Sequence, residues 1–301
     1  MKYLTNCPVC GSSRFSLAYT APTTSGLDQR QWSVSECEDC GHQFINPQPS
    51  WDELKFYYNN TYNPYDPMHG SQSDDDREIE LARKNGTFRH ISLPTGKRLL
   101  DVGCGAGWFL RISKKLGAIE QGVEPSEYGA KQAQQQGLCV FHGTLEAYLA
   151  QAPKDTQFDI ITANHVLEHV PDPVETLRAM KQLLAPGGLI WIGVPNANYP
   201  ICRALRGWWH ATDLPYHLMQ FTPASIKKAG HRAGLRVRRQ TTESIPQIVA
   251  GSLGQYFRYK WKIPRRLTER LGVLKSLSYW YARKMDAKVA GEAIITEFVA
   301  D

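Results

Sequence analysis

The chain has 301 residues, enough for one full hydrophobic core and a small accessory domain. Its hydrophobic fraction of 42% and charged fraction of 21% are those of an ordinary globular protein and exclude an intrinsically disordered chain. The net charge is +6, but residues 251–290 hold ten Lys and Arg against two acidic residues. The basic charge is therefore local, which argues against a nucleic-acid-binding surface over the whole protein.

The cysteines and the apolar runs indicate a compartment. Seven cysteines are present, and four of them fall in two close pairs, a pattern typical of metal binding in a reducing compartment. No apolar run approaches the roughly 20 residues that span a bilayer. Residues 1–10 lack the basic start and apolar stretch of a secretion signal. We therefore expect a cytoplasmic protein.

The first 50 residues contain two matched Cys-x-x-Cys-Gly motifs, at Cys7 and Cys10 and at Cys37 and Cys40, with 26 residues between them. Two such tight turns bring four thiolates to a tetrahedral zinc ion, so we predict a zinc ribbon over residues 1–50. Four cysteines fill the coordination sphere, and the zinc is expected to be structural. The alternatives are unpaired structural cysteines or a redox dithiol, which normally occurs once, beside a thioredoxin-like strand and helix.

Residues 51–93 are aromatic and helical in pattern, and we interpret them as a helical linker and lid. Strand and helix patterns alternate over residues 94–301, which predicts a parallel sheet with helices on both faces. One helix is predicted from Pro173, with Asp172 as its N-cap, and another from Pro223. The predicted strands lie near residues 98–103, 119–124, 138–142, 158–163, 188–194, 235–240 and 293–299.

A glycine-rich turn follows the first of these strands, where Gly103, Gly105 and Gly107 let a nucleotide-type ligand approach the backbone. Glu124 closes the next strand, 17 residues after Gly107, where a carboxylate can accept hydrogen bonds from both ribose hydroxyls of an adenosine. A dinucleotide-binding domain needs a third motif glycine where this chain has Trp108, whose ring blocks the approach of a pyrophosphate. The pattern favours an adenosine ligand without phosphates.

The combined motifs resemble those of the class I S-adenosylmethionine (SAM) dependent methyltransferases, and the resemblance extends from residue 97 to residue 299. It implies an α/β, Rossmann-like fold with a seven-stranded methyltransferase sheet, an N-terminal zinc ribbon and a helical insertion, and SAM as the cofactor. The matching segments are Asp101-x-Gly103-x-Gly105-x-Gly107, Glu124, Gly143-Thr144-Leu145-Glu146, Phe158-Asp159-Ile160-Ile161 with its continuation at 164–173, and Leu184-Ala185-Pro186-Gly187-Gly188.

The resemblance also implies a cofactor site. The glycines and Glu124 would hold the ribose and methionine ends of SAM, and backbone atoms near Asn164 would face the methionine moiety. Leu145 would pack on adenine, with packing in the protein core as an equal alternative. The full set of implied cofactor-binding residues is Asp101, Gly103, Cys104, Gly105, Gly107, Glu124, Pro125, Leu145 and Asn164.

Methyl transfer to a hydroxyl needs alignment of the acceptor and removal of its proton, a role that suits histidine. Candidates follow the fourth and fifth strands: His165 and His169, then His210 and His217. Residues 213–222 resemble a motif of zinc-ribbon methyltransferases associated with surface sugars and natural products, which implies that His217 faces the acceptor. We predict His217 and His165 as catalytic residues. The alternatives are a structural hydrogen bond for His217 and a Glu-His pair at a helix start for His169.

A second chemistry stays open at the same segment. Ubiquinone-pathway O-methyltransferases carry a similar Leu-Glu-His-Val sequence, whose carboxylate and histidine bind a divalent cation. The corresponding cluster here is His165, Glu168 and His169, but His165 stands where those enzymes have Glu. This substitution lowers the expectation of a metal at the cluster.

A basic and aromatic insertion is predicted over residues 243–290, where leucines recur at helical spacing among cations. It could cap the acceptor pocket, form a dimer surface or lie on an anionic membrane, with packing on the domain as the plain alternative. We expect a cap or dimer contact first and a peripheral membrane contact through residues 251–290 second. The chain is expected to be a monomer or a homodimer.

The resulting hypothesis is an enzyme that uses SAM to methylate a small-molecule acceptor, a hydroxyl of a sugar or secondary metabolite, with zinc as scaffolding. The alternative is an RNA-directed methyltransferase whose ribbon and basic segment bind RNA. Base-directed N-methyltransferases often place Asn or Asp, Pro-Pro and an aromatic after the fourth strand to stack a flipped base. This chain has Asn164-His165-Val166-Leu167 there, so nucleic acid is not the expected partner.

Overall fold

The computed structural model describes residues 1–24, 26–60, 79–80, 95–244, 261–262 and 280–301. The strands are β1 (Phe15–Pro22), β2 (Gln31–Cys37), β3 (Gln43–Ile45), β4 (Arg98–Val102), β5 (Ile119–Glu124), β6 (Val140–His142), β7 (Phe158–Asn164), β8 (Leu184–Pro195), β9 (Met219–Gln220), β10 (Leu235–Glu243) and β11 (Ala293–Ala300). The helices include α1 (Trp51–Asn60), α2 (Trp108–Lys115), α3 (Glu127–Gln135), α4 (Leu145–Gln151), α5 (Pro173–Gln182), α6 (Pro200–Leu205) and α7 (Pro223–Arg232).

The larger sheet has seven strands in the order β10-β11-β8-β7-β4-β5-β6. Strands β6, β5, β4, β7 and β8 run parallel, whereas β11 is antiparallel to both of its neighbours. The chain moves outward from β4 to β6 and then returns to place β7 on the other side of β4. Ligands of such sheets bind in the crevice outside the carboxyl ends at this reversal. The site is therefore expected where β4 and β7 end.

The alternating sequence pattern predicted the seven strands of this sheet, and the α/β fold class is confirmed. Two details differ. The sheet is mixed, because β11 enters antiparallel between β8 and β10. Strand β8 also begins at Leu184 rather than near residue 188, since Leu184 pairs with Phe158 before the register shifts. The Ala185-Pro186-Gly187-Gly188 segment is thus part of an irregular strand.

Both predicted helix starts are confirmed. Helix α5 begins at Pro173, and the Asp172 carboxylate accepts a hydrogen bond from the amide of Glu175 at 3.0 Å. Helix α7 begins at Pro223 behind a capping box, in which Thr222 and Ser225 bond each other's amides through their side chains. These caps satisfy amides that the first helical turn leaves without partners.

The smaller sheet has the order β1-β2-β3-β9 and contains strands from two distant parts of the chain. Its first three strands form the ribbon of the N-terminal region. The fourth, β9, comes from a loop after β8, and its residue Met219 lies opposite Phe44. One hydrophobic cluster runs from Trp32 and Phe44 through Leu218 to Ile192 of the larger sheet. Ribbon and larger sheet therefore share one core.

Two predicted segments lie largely outside the described residues. Of the linker and lid at 51–93, the structure describes α1 and residues 79–80. Of the insertion at 243–290, it describes residues 243–244, 261–262 and 280–290, so the cap, dimer and membrane hypotheses fall mainly on residues beyond that description. Within the described ranges, no helix is both long and apolar enough to cross a bilayer.

Candidate active site

The glycine turn between β4 and α2 is shaped by packing as well as by backbone angle. Gly103 has a φ of 70°, and a Cβ atom there would lie 2.6 Å from Cγ2 of Val166. Gly107 has a φ of 84°, and a Cβ atom there would collide with Leu138. Only glycine meets both demands. The turn is thus held tightly against the residues that precede β6 and those that follow β7.

Glu124, the last residue of β5, is buried beside this turn. Its Oε2 accepts a hydrogen bond from the amide of Gly105 at 2.8 Å, and its Oε1 accepts one from the amide of Ser126 at 2.8 Å. The two amides fix the carboxylate in place, and carboxylate oxygens are acceptors for donors such as ribose hydroxyls.

Asp101 lies deeper, on β4, with its carboxyl group buried. Its Oδ1 accepts a hydrogen bond from the Thr162 hydroxyl at 2.6 Å. Burial and the nearby charge of Glu124 raise the pKa of Asp101 to about 7, although the hydrogen bond from Thr162 works to lower it. Two acids therefore share the floor of the turn, an arrangement that a cationic ligand would stabilise.

The remaining predicted cofactor residues border the turn or the strand ends. Cys104 is buried within the turn, Pro125 is exposed after β5, and Leu145 is buried as the first residue of α4. Asn164 ends β7 with an exposed side chain, and a Cβ atom at Gly193 would collide with its Oδ1. Leu145 packs in the core. The side-chain amide of Asn164 fits in its position because residue 193 is glycine and has no Cβ atom.

His165 follows β7 directly and has a backbone φ of 55°, in the left-handed region that non-glycine residues rarely occupy. Its amide donates to the carbonyl of Gly193 at 2.9 Å, which ties this turn to β8. The side chain is 54% exposed, and its Nδ1 lies 3.0 Å from Oε1 of Glu168. Because an ionised carboxylate can only accept, Nδ1 carries the proton and Nε2 is the acceptor atom of the neutral ring.

Glu168 controls the charge of this imidazole. Burial works to lower the pKa of His165, but the hydrogen bond and charge of Glu168, with the charge of Glu292, outweigh it and raise the pKa above its usual value. The Glu168 side chain is only 1% exposed. Burial works to raise its pKa, yet the hydrogen bond from His165 and the neighbouring histidines hold that pKa at about 2. Glu168 is therefore an anion at neutral pH.

His169 and His217 also lie against Glu168, and the side-chain donor atoms of the three residues are within 4.8 Å of one another. Nδ1 of His169 donates to the carbonyl of Tyr216 at 3.0 Å, and Nδ1 of His217 donates to the carbonyl of Ala211 at 2.8 Å. The two rings pack edge to face, with centroids 4.7 Å apart. Burial, followed by the charge of His217, lowers the pKa of His169 to about 4.

The structure thus brings both predicted catalytic histidines to one carboxylate but gives them different settings. His165 is exposed and hydrogen-bonded to Glu168, whereas His217 is buried. The hydrogen bond that the structure describes on the Glu168 carboxylate comes from His165, and His169, for which a Glu-His pair was the alternative, lies within 4.8 Å of Glu168. The possible metal-ligand atoms that lie within 4.8 Å of one another belong to Glu168, His169 and His217. His217 thus takes the place of His165 in the cluster considered from the sequence. For His210, only the backbone is described.

Two residues near this site were missed by sequence reasoning. Glu292 is buried just before β11, and its charge acts on His165. The hydroxyl of Tyr58, on α1, lies 3.4 Å from Nδ1 of His169. Both are far from β7 in the chain: Glu292 lies just after the segment interpreted as an insertion, and Tyr58 lies in the segment interpreted as a linker. The one available signal was an acidic residue, Glu292, at the start of an otherwise apolar strand pattern.

The four motif cysteines lie together at one end of the ribbon. The sulfur atoms of Cys7 and Cys40 are 3.7 Å apart, those of Cys10 and Cys37 are 3.5 Å apart, and all four lie within 4.8 Å of one another. All four cysteines are free, without disulfides. A tetrahedral zinc ion with Zn–S bonds of about 2.3 Å separates its sulfurs by about 3.8 Å. The cluster has the dimensions of a four-cysteine zinc site.

Comparison with known proteins adds a family to this geometry. The profile of a family described as "Methyltransferase domain" matches residues 75–240, more than half of the chain. The chain belongs to this methyltransferase family. The matched span contains the glycine turn, Glu124, Glu168 and all of the histidines discussed above.

Curated relatives of this methyltransferase include two ubiquinone biosynthesis O-methyltransferases. The protein from Aeromonas salmonicida is 34% identical over 155 residues, which cover 48% of this chain and 64% of the relative. The protein from Pasteurella multocida is 37% identical over 127 residues, which cover 38% of this chain and 50% of the relative. The methyltransferase thus spans between half and two thirds of the length of these relatives.

Solved structures agree on the fold. A chain of the complex between the Trm112 methyltransferase activator of Haloferax volcanii and a methyltransferase aligns with a TM-score of 0.50 at 18% identity. The alignment covers 75% of this methyltransferase and 92% of that chain. At this identity the likeness concerns the fold alone.

We predict that Glu124→Gln weakens SAM binding to this methyltransferase about tenfold or more, because a charged hydrogen-bond acceptor contributes roughly 1.5–3 kcal/mol. Isothermal titration calorimetry with SAM measures the affinity. Glu127→Gln is the matched control, since Glu127 lies on the neighbouring helix with its side chain 65% exposed and paired with Lys131. Equal affinities for wild type and Glu124→Gln would contradict the assignment.

Proposed function

We propose that this methyltransferase transfers a methyl group from SAM to a hydroxyl oxygen of a small molecule, such as a sugar or a secondary metabolite. The observation that carries the proposal is the pair of His165 and Glu168 at the carboxyl end of β7. An exposed imidazole backed by a buried carboxylate is the arrangement of a general base. The curated relatives are named O-methyltransferases, which supports an oxygen acceptor. The sugar or secondary metabolite rests on the resemblance of residues 213–222.

The residues around the glycine turn fit SAM. The Glu124 oxygens have lone pairs for two ribose hydroxyls, and the negative charge that Glu124 and Asp101 bring to the turn suits a sulfonium cation. Trp108 starts α2 where a pyrophosphate would need glycine, and SAM has no phosphate. SAM, when bound, supplies an electrophilic methyl group on its sulfonium.

His165 is proposed to take the proton of the acceptor hydroxyl. Its Nε2 would accept that proton, while Nδ1 would continue to donate to Glu168. The imidazolium that results is stabilised by the buried anion, which also keeps the ring in the required tautomer. The left-handed backbone conformation of His165 sets the direction in which its ring extends from the end of β7.

His217 is proposed to support this base from within the protein. It is buried, and its proximity contributes to the low pKa of Glu168. It therefore helps to keep the carboxylate ionised. In this assignment His165 contacts the acceptor, and His217 acts through Glu168.

The four cysteines of the ribbon are proposed to hold one structural zinc ion. Their sulfur separations support this, since each motif pair contributes two thiolates and no coordination position remains for a substrate.

The RNA-directed alternative has less support. The basic segment at 251–290 lies mainly outside the described residues, and residues 164–167 contain no Phe, Tyr or Trp that could stack on a flipped base. RNA is therefore included as one acceptor class in the test of the function.

We predict that the protein converts SAM to S-adenosylhomocysteine in the presence of a hydroxylated small molecule. A screen over sugars, nucleotide sugars, phenols and RNA, read by mass spectrometry of both products, measures this. His165→Ala should lower kcat at least about 100-fold, the lower end of what a general base contributes. His231→Ala, an exposed histidine on α7, is the control. Methylation of RNA alone would overturn the small-molecule proposal, and full activity of His165→Ala would remove the proposed base.

We predict that Glu168→Gln shifts the acidic limb of the kcat/KM profile to lower pH. The neutral imidazole is the active form, and Glu168 raises the pKa of His165, so activity rises only as pH passes above that raised value. Glutamine keeps an acceptor for Nδ1 but removes the charge, so the pKa falls and the limb follows it. The plateau should also fall about tenfold or more, because the imidazolium loses its counter-ion.

Glu175→Gln is the control for this profile, since Glu175 is an exposed glutamate on α5 paired with Arg178. Its profile should match that of the wild type. An unchanged acidic limb in Glu168→Gln would show that His165 is not the group whose ionisation limits the rate.

We predict one zinc ion per chain in protein purified without chelators, measured by inductively coupled plasma mass spectrometry. Cys37→Ser should lose most of it, because a serine hydroxyl replaces one of four thiolates. Cys139→Ser is the control, since Cys139 is an exposed cysteine outside the cluster. Zinc content that is unchanged in Cys37→Ser would contradict the site, and a second equivalent in the wild type would point to a further metal outside the ribbon.

A further inference from the structure

A buried segment lies between the ribbon and the active site, and we call residues 213–222 the strap. Every strap residue after Asp213 is buried. The strap carries His217 and contains β9, the fourth strand of the ribbon sheet. The strap is therefore hydrogen-bonded into the ribbon sheet, and it also contributes the His217 side chain to the active site.

On one side the strap is bonded to the backbone of the ribbon. Met219 lies opposite Phe44 in the antiparallel pairing of β3 and β9. The amide of Ile45 donates to the carbonyl of Leu218 at 3.0 Å. Phe44 and Met219 are both fully buried, so this pairing is also a packing contact.

Two ribbon side chains hold the two ends of the strap. The hydroxyl of Thr24 lies 3.0 Å from Oδ1 of Asp213 and 2.9 Å from the carbonyl of Leu214. The hydroxyl of Tyr19 donates to Oε1 of Gln220 at 2.9 Å. Asp213 has a φ of 33°, so Thr24 bonds the strap where its backbone enters the left-handed region.

On its other side the strap is bonded to the carboxyl end of β7. The amide of Met219 donates to the backbone carbonyl of Glu168 at 3.0 Å. Nδ1 of His169 donates to the carbonyl of Tyr216 at 3.0 Å. Met219 thus connects the ribbon residue Phe44 with Glu168, whose carboxylate orients His165.

We propose that the ribbon is a positioning element of the active site, which sets the backbone of Glu168 through the strap. The direction of the Glu168 carboxylate toward His165 then depends on contacts made by residues of the N-terminal region. The catalytic part of this inference rests on the proposed function, in which His165 is the base. Because the glycine turn follows β4 and Glu124 ends β5, away from the strap contacts, loss of the ribbon contacts should impair turnover and leave SAM affinity unchanged.

The test is a double variant, Tyr19→Phe with Thr24→Val, which removes both hydroxyl contacts and keeps the side-chain shapes. Its matched control is Tyr3→Phe with Thr20→Val, which removes the same groups from exposed ribbon positions. Thr24→Ser with Tyr19 intact is the rescue variant, because serine retains the hydroxyl. Urea denaturation establishes that each variant is folded. If the double variant is not folded, Tyr19→Phe alone is measured in its place.

Two measurements are made on these variants. Hydrogen exchange by mass spectrometry follows peptides over the strap and over residues 164–170, with a peptide over the glycine turn at 103–107 as the internal reference. Steady-state kinetics give kcat and the acceptor KM, and calorimetry gives the SAM dissociation constant. Exchange needs no acceptor, so it reports on the ribbon contacts even where methyl transfer fails.

We expect faster exchange of the strap and of residues 164–170 in the double variant, with the glycine turn unchanged. We expect kcat to fall about three- to tenfold, as one or two lost hydrogen bonds would give, while the acceptor KM and SAM affinity hold. Thr24→Ser should restore kcat. Unchanged exchange at residues 164–170, or faster exchange with an unchanged kcat, would overturn the proposal. A wild type that methylates nothing defeats the proposed function alone, and the exchange result then decides whether the ribbon holds Glu168.

Discussion

A carboxylate buried at the end of a central strand is the constraint on which the rest of the active site depends. An isolated charge in that position would be strongly unfavourable, so Glu168 needs partners that stay in place. His165 provides a direct hydrogen bond, and the rings of His169 and His217 lie against the carboxylate. The rings of His169 and His217 are held by the carbonyls of Tyr216 and Ala211, and the amide of His165 is held by the carbonyl of Gly193. Together these bonds connect the loop after β7 with residues 211–217 and with β8.

The residue that carries this carboxylate also connects the N-terminal ribbon with the larger sheet, with which the ribbon shares a core. The backbone carbonyl of Glu168 is bonded by Met219, and Met219 is a strand residue of the ribbon sheet. A ribbon of some 50 residues has little core of its own, since small domains bury a small share of their surface. Here it buries its apolar face, including Phe44, against the strap. The four-cysteine cluster of the ribbon and the candidate active site thus belong to one continuous structure.

Much of the fold could be predicted from the sequence because it follows local rules. The seven strands of the larger sheet, the Asp172 cap and the glycine turn are set by periodicity, capping chemistry and spacing, all of which are visible within short windows. The antiparallel entry of β11 and the pairing of β9 with β3 are contacts between distant segments. No local pattern encodes them, and the two residues of β9 are too few to give a strand signal.

The candidate site was predictable to the same degree. Glu124 and the histidines after β7 and β8 were found because strand ends at a reversal of strand order are where ligands bind. The partner of Glu168 was not, since spacing favours its neighbour His169 and the decisive feature is a left-handed backbone at His165. That angle depends on the hydrogen bond from the His165 amide to the Gly193 carbonyl and on the fit of the His165 ring over the Glu168 carboxylate. Both arise only when β7 and β8 are paired.

The electrostatics decide which of the histidines can take a proton. One buried anion can stabilise one imidazolium in its vicinity, and the rings compete for that position. Burial and the neighbouring His217 hold the pKa of His169 at about 4, so His169 stays neutral. The pKa of His165 is raised instead, because Glu168 and Glu292 both act on it while its other face reaches solvent. Of these two histidines, the exposed His165 therefore holds a proton more readily than His169.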